Sequence, residues 1–107
     1  MTAEEILKYN KRCSEFLNLN MDEEVVIYNM ASYPYDYLKF HSDWNWIMEV
    51  VEAIEKSGYE IDIFSNCVEI CDTPDENYIT EAIGKTKKEA VVNAINQFLI
   101  WYNENNK

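Results

Sequence analysis

Apolar and polar positions along the 107-residue chain fall into three stretches with helical spacing and several shorter runs with partial alternation. Thr2 followed by Glu5 has the pattern of a capping box. Behind it Ile6, Leu7, Cys13, Phe16 and Leu17 recur near helical spacing, with Lys8, Lys11 and Arg12 on the wet side. This predicts a first helix ending close to Asn18. "EEVVIY", residues 23–28, is a short β-branched run that predicts a strand. "ASYPYDYLKF", residues 31–40, predicts a tyrosine-rich loop or an edge strand broken by Pro34.

A second helix starts from a cap at Ser42 or Asp43 and runs to Gly58, its natural stop; Trp44, Ile47, Met48, Val51 and Ile54 form one stripe along it. Then "YEIDIFS", "CVEIC" and "NYITEAI", separated by "SN" and "DTPDEN", suit an antiparallel meander. Thr86 and Glu89 make a second capping box, and the last helix turns Val91, Ala94, Ile95, Phe98, Leu99 and Tyr102 to the core. The order α-β(β)-α-β-β-β-α predicts an α+β fold over residues 1–107 as one domain, an antiparallel sheet of three to five strands packed with helices. There is no internal repeat and no linker.

Composition narrows the function classes. With 48% hydrophobic and 14% aromatic residues the chain can fill one core. It has no run of eighteen apolar residues, and its first residues lack the basic-then-apolar order of a signal peptide, so a cytoplasmic location is expected. Three cysteines, Cys13, Cys67 and Cys71, are too few and odd in number for a disulfide framework and read as free thiols. Twenty acids against nine bases give a net charge of −11, which repels nucleic-acid backbones and anionic lipids. Residues 43–84 hold eleven of the acids and a single base, Lys56. Such a stretch either keeps a small domain soluble or meets a basic partner.

Several segments together, "EFLNLN", "LKFHSDWNWIMEVVEAIE", "NCVEI" and "TKKEAVVNAINQFLIWYNE", resemble a group of short phage and prophage proteins. That group carries an H-x-x-W-x-W-(L/I)-M-x-V-V-E-x-I-E helix, a C-x-I strand and a closing E-A-V-x-x-A-x-x-x-F-I-x-W-Y-N helix. The matching positions are Phe16, His41, Trp44, Trp46, Met48, Val50, Val51, Glu52, Ile54, Glu55, Cys67, Ile70, Ala90, Val91, Ala94, Phe98, Trp101 and Tyr102. "SDWNW" stands where the group usually has "SWDW", and Glu49 where it often has proline. The resemblance spans roughly residues 7 to 104 and implies a phage origin and a compact α/β layered fold; it implies no chemistry.

Candidate chemistry is sparse. His41 lies two residues from Asp43, a pairing that can act as general base, with Tyr33, Tyr35 or Tyr37 as a further polar group; the same histidine can simply join the helix cap. One histidine cannot build a two-histidine metal site, and two glycines make no phosphate loop, so neither metal nor cofactor is expected. Cys67 and Cys71 match a C-x3-C spacing, but a strand at ~3.3 Å per residue holds them about 13 Å apart. Glu49, Glu52 and Glu55 recur along the second helix, with Glu52 spaced for an ion pair to Lys56. Trp46 lies about 200° around the helix from Trp44, and draws a second apolar line with Val50 and Ala53. Either that helix is buried on two sides, or Trp44 is core and Trp46 is a surface anchor beside Glu49 and "YPYDY".

The leading expectation is a non-enzymatic binding protein that meets a host or phage protein through Trp46, Glu49, Glu52, Glu55, Tyr35 and Tyr37, without direct contact to nucleic acid or membrane. Its sharper form is a charge-mimicking inhibitor of a nucleic-acid-handling defence enzyme. A second copy of the chain is an open partner. The alternative is a small enzyme or ligand-binding domain centred on His41, Asp43 and a loop tyrosine.

Overall fold

A computed structural model describes residues 1–72 and 77–105; four residues of the "DTPDEN" turn, 73–76, lie outside the described residues. Helix α1, Ala3–Phe16, begins as the sequence predicts: the Thr2 hydroxyl accepts the Glu5 N–H and the Glu5 carboxylate accepts the Thr2 N–H, both at 3.2 Å. It ends at Asn18, whose φ of +58 lets Leu19 and Asn18 return their N–H groups to the carbonyls of Ser14 and Glu15, each at 3.0 Å. Asparagine tolerates this left-handed conformation better than most residues.

Two antiparallel sheets follow, not one. β1 (Asn20–Met21), β2 (Val25–Tyr28) and β3 (Ala31–Pro34) form the first, in that order; the two-residue β1 has no pattern that sequence could have revealed. Asn29 and Met30 turn the β2–β3 hairpin with φ of +50 and +67. A two-residue turn needs this hand of backbone, and asparagine suits it better than methionine does. β3 ends at Pro34, and a 3₁₀ turn, Tyr35–Tyr37, leads away from the sheet.

Helix α2, Trp44–Lys56, is capped by the Asp43 carboxylate, which accepts the Asn45 N–H at 2.8 Å, and is stopped at Gly58 with φ of +99. The second sheet consists of β4 (Tyr59–Phe64), β5 (Cys67–Asp72) and β6 (Asn77–Ile83), with β5 in the middle. Ile70 pairs with Thr80 and Cys71 with Tyr78, so Ile79 is an extra residue bulged out of β6 while β5 runs straight. Helix α3, Lys87–Asn105, starts with the Thr86 hydroxyl accepting the Glu89 N–H at 3.1 Å and packs on β5 and β6. Gly84 allows this docking, because a Cβ there would stand 2.5 Å from the Ala90 backbone nitrogen.

The core gathers Val68, Ile70 and Ala82 of the second sheet, Val91, Ile95, Phe98 and Leu99 of α3, Tyr9 and Cys13 of α1, and Ile47, Val50, Val51 and Ile54 of α2. Val26 and Tyr28 extend it to the first sheet. Two buried polar side chains of α1 hold the segment after β3: Asn10 donates to the carbonyls of Tyr35 (2.8 Å) and Leu38 (3.2 Å), and the Tyr9 hydroxyl donates to that of Phe40 (3.1 Å). The connection between the sheets is thus bolted to α1 by hydrogen bonds that water does not reach. No helix of the described residues is long and apolar enough to cross a membrane.

Candidate functional site

The two tryptophans of α2 exchange the places expected from the apolar stripe. Trp44 is 37% exposed, with the Lys88 ammonium 5.8 Å above its ring, and Met48 beside it is exposed too. Trp46 is half-buried: it stacks on Tyr28 at 4.4 Å and meets Phe40 edge-on at 5.1 Å and Tyr33 at 6.1 Å. The helix is therefore rotated so that Val50 faces inward and Trp46 fills the gap between α2 and the first sheet. An aromatic wedge of this kind stabilises a fold through contact area and ring geometry, and little of it is left for a partner.

The other residues assigned to the same surface separate. Tyr35 is 3% exposed, its hydroxyl donating to the Asp22 carbonyl at 2.5 Å and its ring under the Lys11 ammonium; it is a packing residue. Tyr37 is 62% exposed and stacks on Tyr33. The Glu49 carboxylate accepts the hydroxyl of Tyr28, which burial first and this carboxylate second push well above the ordinary tyrosine range. Glu52 and Glu55 are exposed, but each step of three residues turns back about 60° around a helix, so Glu49 flanks Trp46 whereas Glu52 and Glu55 lie about 120° and 180° away from it. Lys56 does not pair with Glu52; the ion pair seen among the described residues joins Lys8 and Glu4 on α1 at 3.4 Å.

His41 borders a cavity of about 330 Å³ between the start of α1 and the start of α3, shared with Ile6, Thr86, Lys88 and Asn93. Its Nδ1 is buried without a hydrogen-bond partner, and burial lowers its pKa, so the ring is neutral at pH 7. The groups it would need are elsewhere. Asp43 caps α2, Tyr35 bonds to Asp22, Tyr33 and Tyr37 stack on each other, and none of them borders the cavity. Thr86 accepts the Glu89 N–H, and Asn93 donates to the Ile83 carbonyl. Lys88 and Glu89 also border the cavity, but the buried His41 Nδ1 bonds to neither, and a histidine without an aligned nucleophile does not make a catalytic arrangement.

Four of the eleven acids of residues 43–84 come together on the second sheet. Side chains alternate across a strand, so while Val68 and Ile70 face α3, the opposite face carries three cross-strand rows set by the register. One row is Phe64, Cys67 and Ile83; the central row is Asp62, Glu69 and Glu81; the third is Glu60, Cys71 and Tyr78. Phe64, Tyr78 and Ile83 are 55%, 66% and 71% exposed. Four carboxylates and no base occupy this grid; among the described residues the bases lie on α1, at Lys39 before α2 and Lys56 at its end, and around the start of α3. The Glu69 carboxylate raises the pKa of the Tyr78 hydroxyl, and the Cys67 thiol donates to Glu81 at 3.9 Å. The sequence shows the charge excess and offers Glu49, Glu52 and Glu55 of α2 as candidates; the period-two spacing of Glu60, Asp62 and Glu69 against Ile61, Ile63, Val68 and Ile70 was the available signal for this further acidic face.

Cys13, Cys67 and Cys71 form no disulfide, and burial pushes the thiol of Cys13 well up, which makes it inert. Among the described residues no group of three or more His, Cys, Asp or Glu is arranged to hold a metal ion. Compared with protein-family models, with curated proteins and with solved structures, the chain matches none.

Proposed function

We propose that this is a small non-enzymatic binding protein of phage type, acting in the cytoplasm of a bacterial host, which docks on a basic protein surface. The observation that carries the reading is the open face of the second sheet, where four carboxylates stand among exposed apolar side chains and no helix covers them. In its sharper form the protein inhibits a nucleic-acid-handling defence enzyme, its carboxylates occupying a groove built for phosphates. The net charge of −11 favours fast association with such a groove and opposes contact with nucleic acid itself.

The test is capture of a partner from bacterial lysate on the tagged protein, followed by association kinetics with the purified partner. The on-rate falls steeply between 0.1 M and 1 M salt, as the Debye length shortens from about 10 Å to ~3 Å, and the off-rate changes little. Salt-insensitive binding, or firm binding of DNA or RNA by the protein alone, contradicts the reading. The cavity beside His41 favours a second reading, a ligand-binding domain or small enzyme. A ligand held there with His41 in contact, and abolished by His41→Ala, would establish it.

A further inference from the structure

The open sheet face is not uniform, and its layout specifies more than a negative sign. At one end Glu60, Asp62, Glu69, Cys71 and Tyr78 surround a hollow of about 210 Å³. At the other end Phe64 and Ile83 flank Cys67 with most of their side chains in water. Successive rows on one face of a strand are about 6.6 Å apart, so the hollow, spanning the third and central rows, lies about 10 Å from the apolar end.

Three carboxylates directly opposite one another across Asp62, Glu69 and Glu81 repel at a distance of about 5 Å between strands, an arrangement that lowers the sheet's own stability. A cation seated among them relieves that repulsion, and an aromatic ring at the rim of the hollow adds attraction to a guanidinium or ammonium. A second copy of this chain brings the same charges to the face and is disfavoured, as are nucleic acid and anionic lipid.

We infer that this face takes a basic protein segment that seats an arginine or lysine head group in the hollow beside Glu69 and Tyr78 and an apolar side chain between Phe64 and Ile83, about 10 Å away. The inference rests on the proposed protein-binding role and adds to it the face and the chemistry of the partner. Apolar surface left open beside fixed charge is the composition of an interface centre with a polar surround, and charge complementarity decides which partner enters it.

The probe is a seven-residue peptide carrying arginine and leucine three positions apart, alongside the same peptide with citrulline, which keeps the shape of arginine and removes its charge. Amide shifts of the protein are followed by NMR during titration. The expected result is saturable binding that moves the amides of β4, β5 and β6 around Glu69 and Tyr78, weakens at least tenfold with citrulline and with Glu69→Gln, and is unchanged by Glu52→Gln with Glu55→Gln. Shifts centred on α2, or equal binding of the citrulline peptide, overturn the assignment of this face while leaving a salt-steered partner from lysate untouched. Sedimentation of the protein alone covers the remaining occupant: a dimer that Phe64→Ser dissociates puts a second copy on the face and overturns the inference, and a monomer agrees with it.

Discussion

The two sheets have the same number of strands and the same antiparallel order, yet their outward faces differ. On the first sheet the outward positions are Asn20 and Ile27 with Ser32, and Val25 with Pro34, none of them charged. On the second, Glu60, Asp62, Glu69 and Glu81 fill four positions of the grid. Solubility alone asks for charge spread over the whole surface. Carboxylates concentrated on one sheet, at the cost of direct cross-strand repulsion, point to a role that the other sheet does not share.

The inward faces differ as well. The first sheet meets α2 through aromatic rings, Tyr28 on Trp46 with Phe40 and Tyr33 at the edges, whereas the second meets α3 through Val68, Ile70 and Ala82. The largest expected effect probes that contrast. Trp46→Ala removes the wedge and lowers stability by about 3 kcal/mol in a urea melt, while Trp44→Ala, losing a partly exposed ring over Lys88, costs about 1 kcal/mol. Equal losses would show that both rings hold the core and would remove the distinction between the two faces of α2.

Gly84→Ala comes next. With 2.5 Å between the added Cβ and the Ala90 nitrogen, the second sheet and α3 must move apart, a cost of about 1–3 kcal/mol, and thermal melting at fixed pH measures it. Met30→Gly acts on the first sheet with the opposite sign. The side chain at the hairpin tip is almost fully exposed and its φ is +67, so glycine relieves strain and raises stability by about 0.5–1 kcal/mol. The smallest expected effect is the most specific to the account. Glu69→Gln relieves repulsion in the central row and stabilises the isolated protein by about 0.5 kcal/mol at low salt, a gain that shrinks at 1 M salt. A loss instead of a gain would mean that the hydrogen bond Glu69 accepts from Tyr78 outweighs the repulsion in the row.

His41 adds a pH dependence. Burial holds its folded pKa below 6.5, so the unfolded chain takes up the proton first as pH falls. Its contribution to stability is therefore fully present above 6.5 and is lost as pH drops toward the folded pKa. The imidazole Cε1 proton, followed by NMR, should titrate below 6.5; a midpoint above it would mean that Glu89, which borders the same cavity, pairs with the ring.

Much of the fold was legible because its signals are local. The Thr2 and Glu5 capping box, the Thr86 cap, the stop at Gly58 and the alternation of β4 to β6 depend on neighbours in sequence. What was missed depends on distant neighbours. Helix α2 is apolar on most of its circumference, so spacing alone allowed either Trp44 or Trp46 to face inward, and rings brought by Tyr28 and Phe40 decided it. Tyr35 reads as a loop residue but is buried because Asn10 draws its backbone onto α1. That the strands form two sheets follows from Pro34 ending β3 and from α2 standing between β3 and β4, neither of which fixes pairing in a sequence. The acidic face was half legible: the charge count was plain, but only the register places Asp62, Glu69 and Glu81 in one row.

The central claim is that the second sheet, not the first and not α2, presents the binding surface. The direct measurement is the association rate of a purified lysate partner with two charge variants that leave the core untouched. Glu69→Lys with Glu81→Lys should slow association at least tenfold at 0.1 M salt, and Ser32→Lys on the outward face of the first sheet should leave it within twofold. Equal rates for the two variants, or slowing by Ser32→Lys alone, would contradict the account.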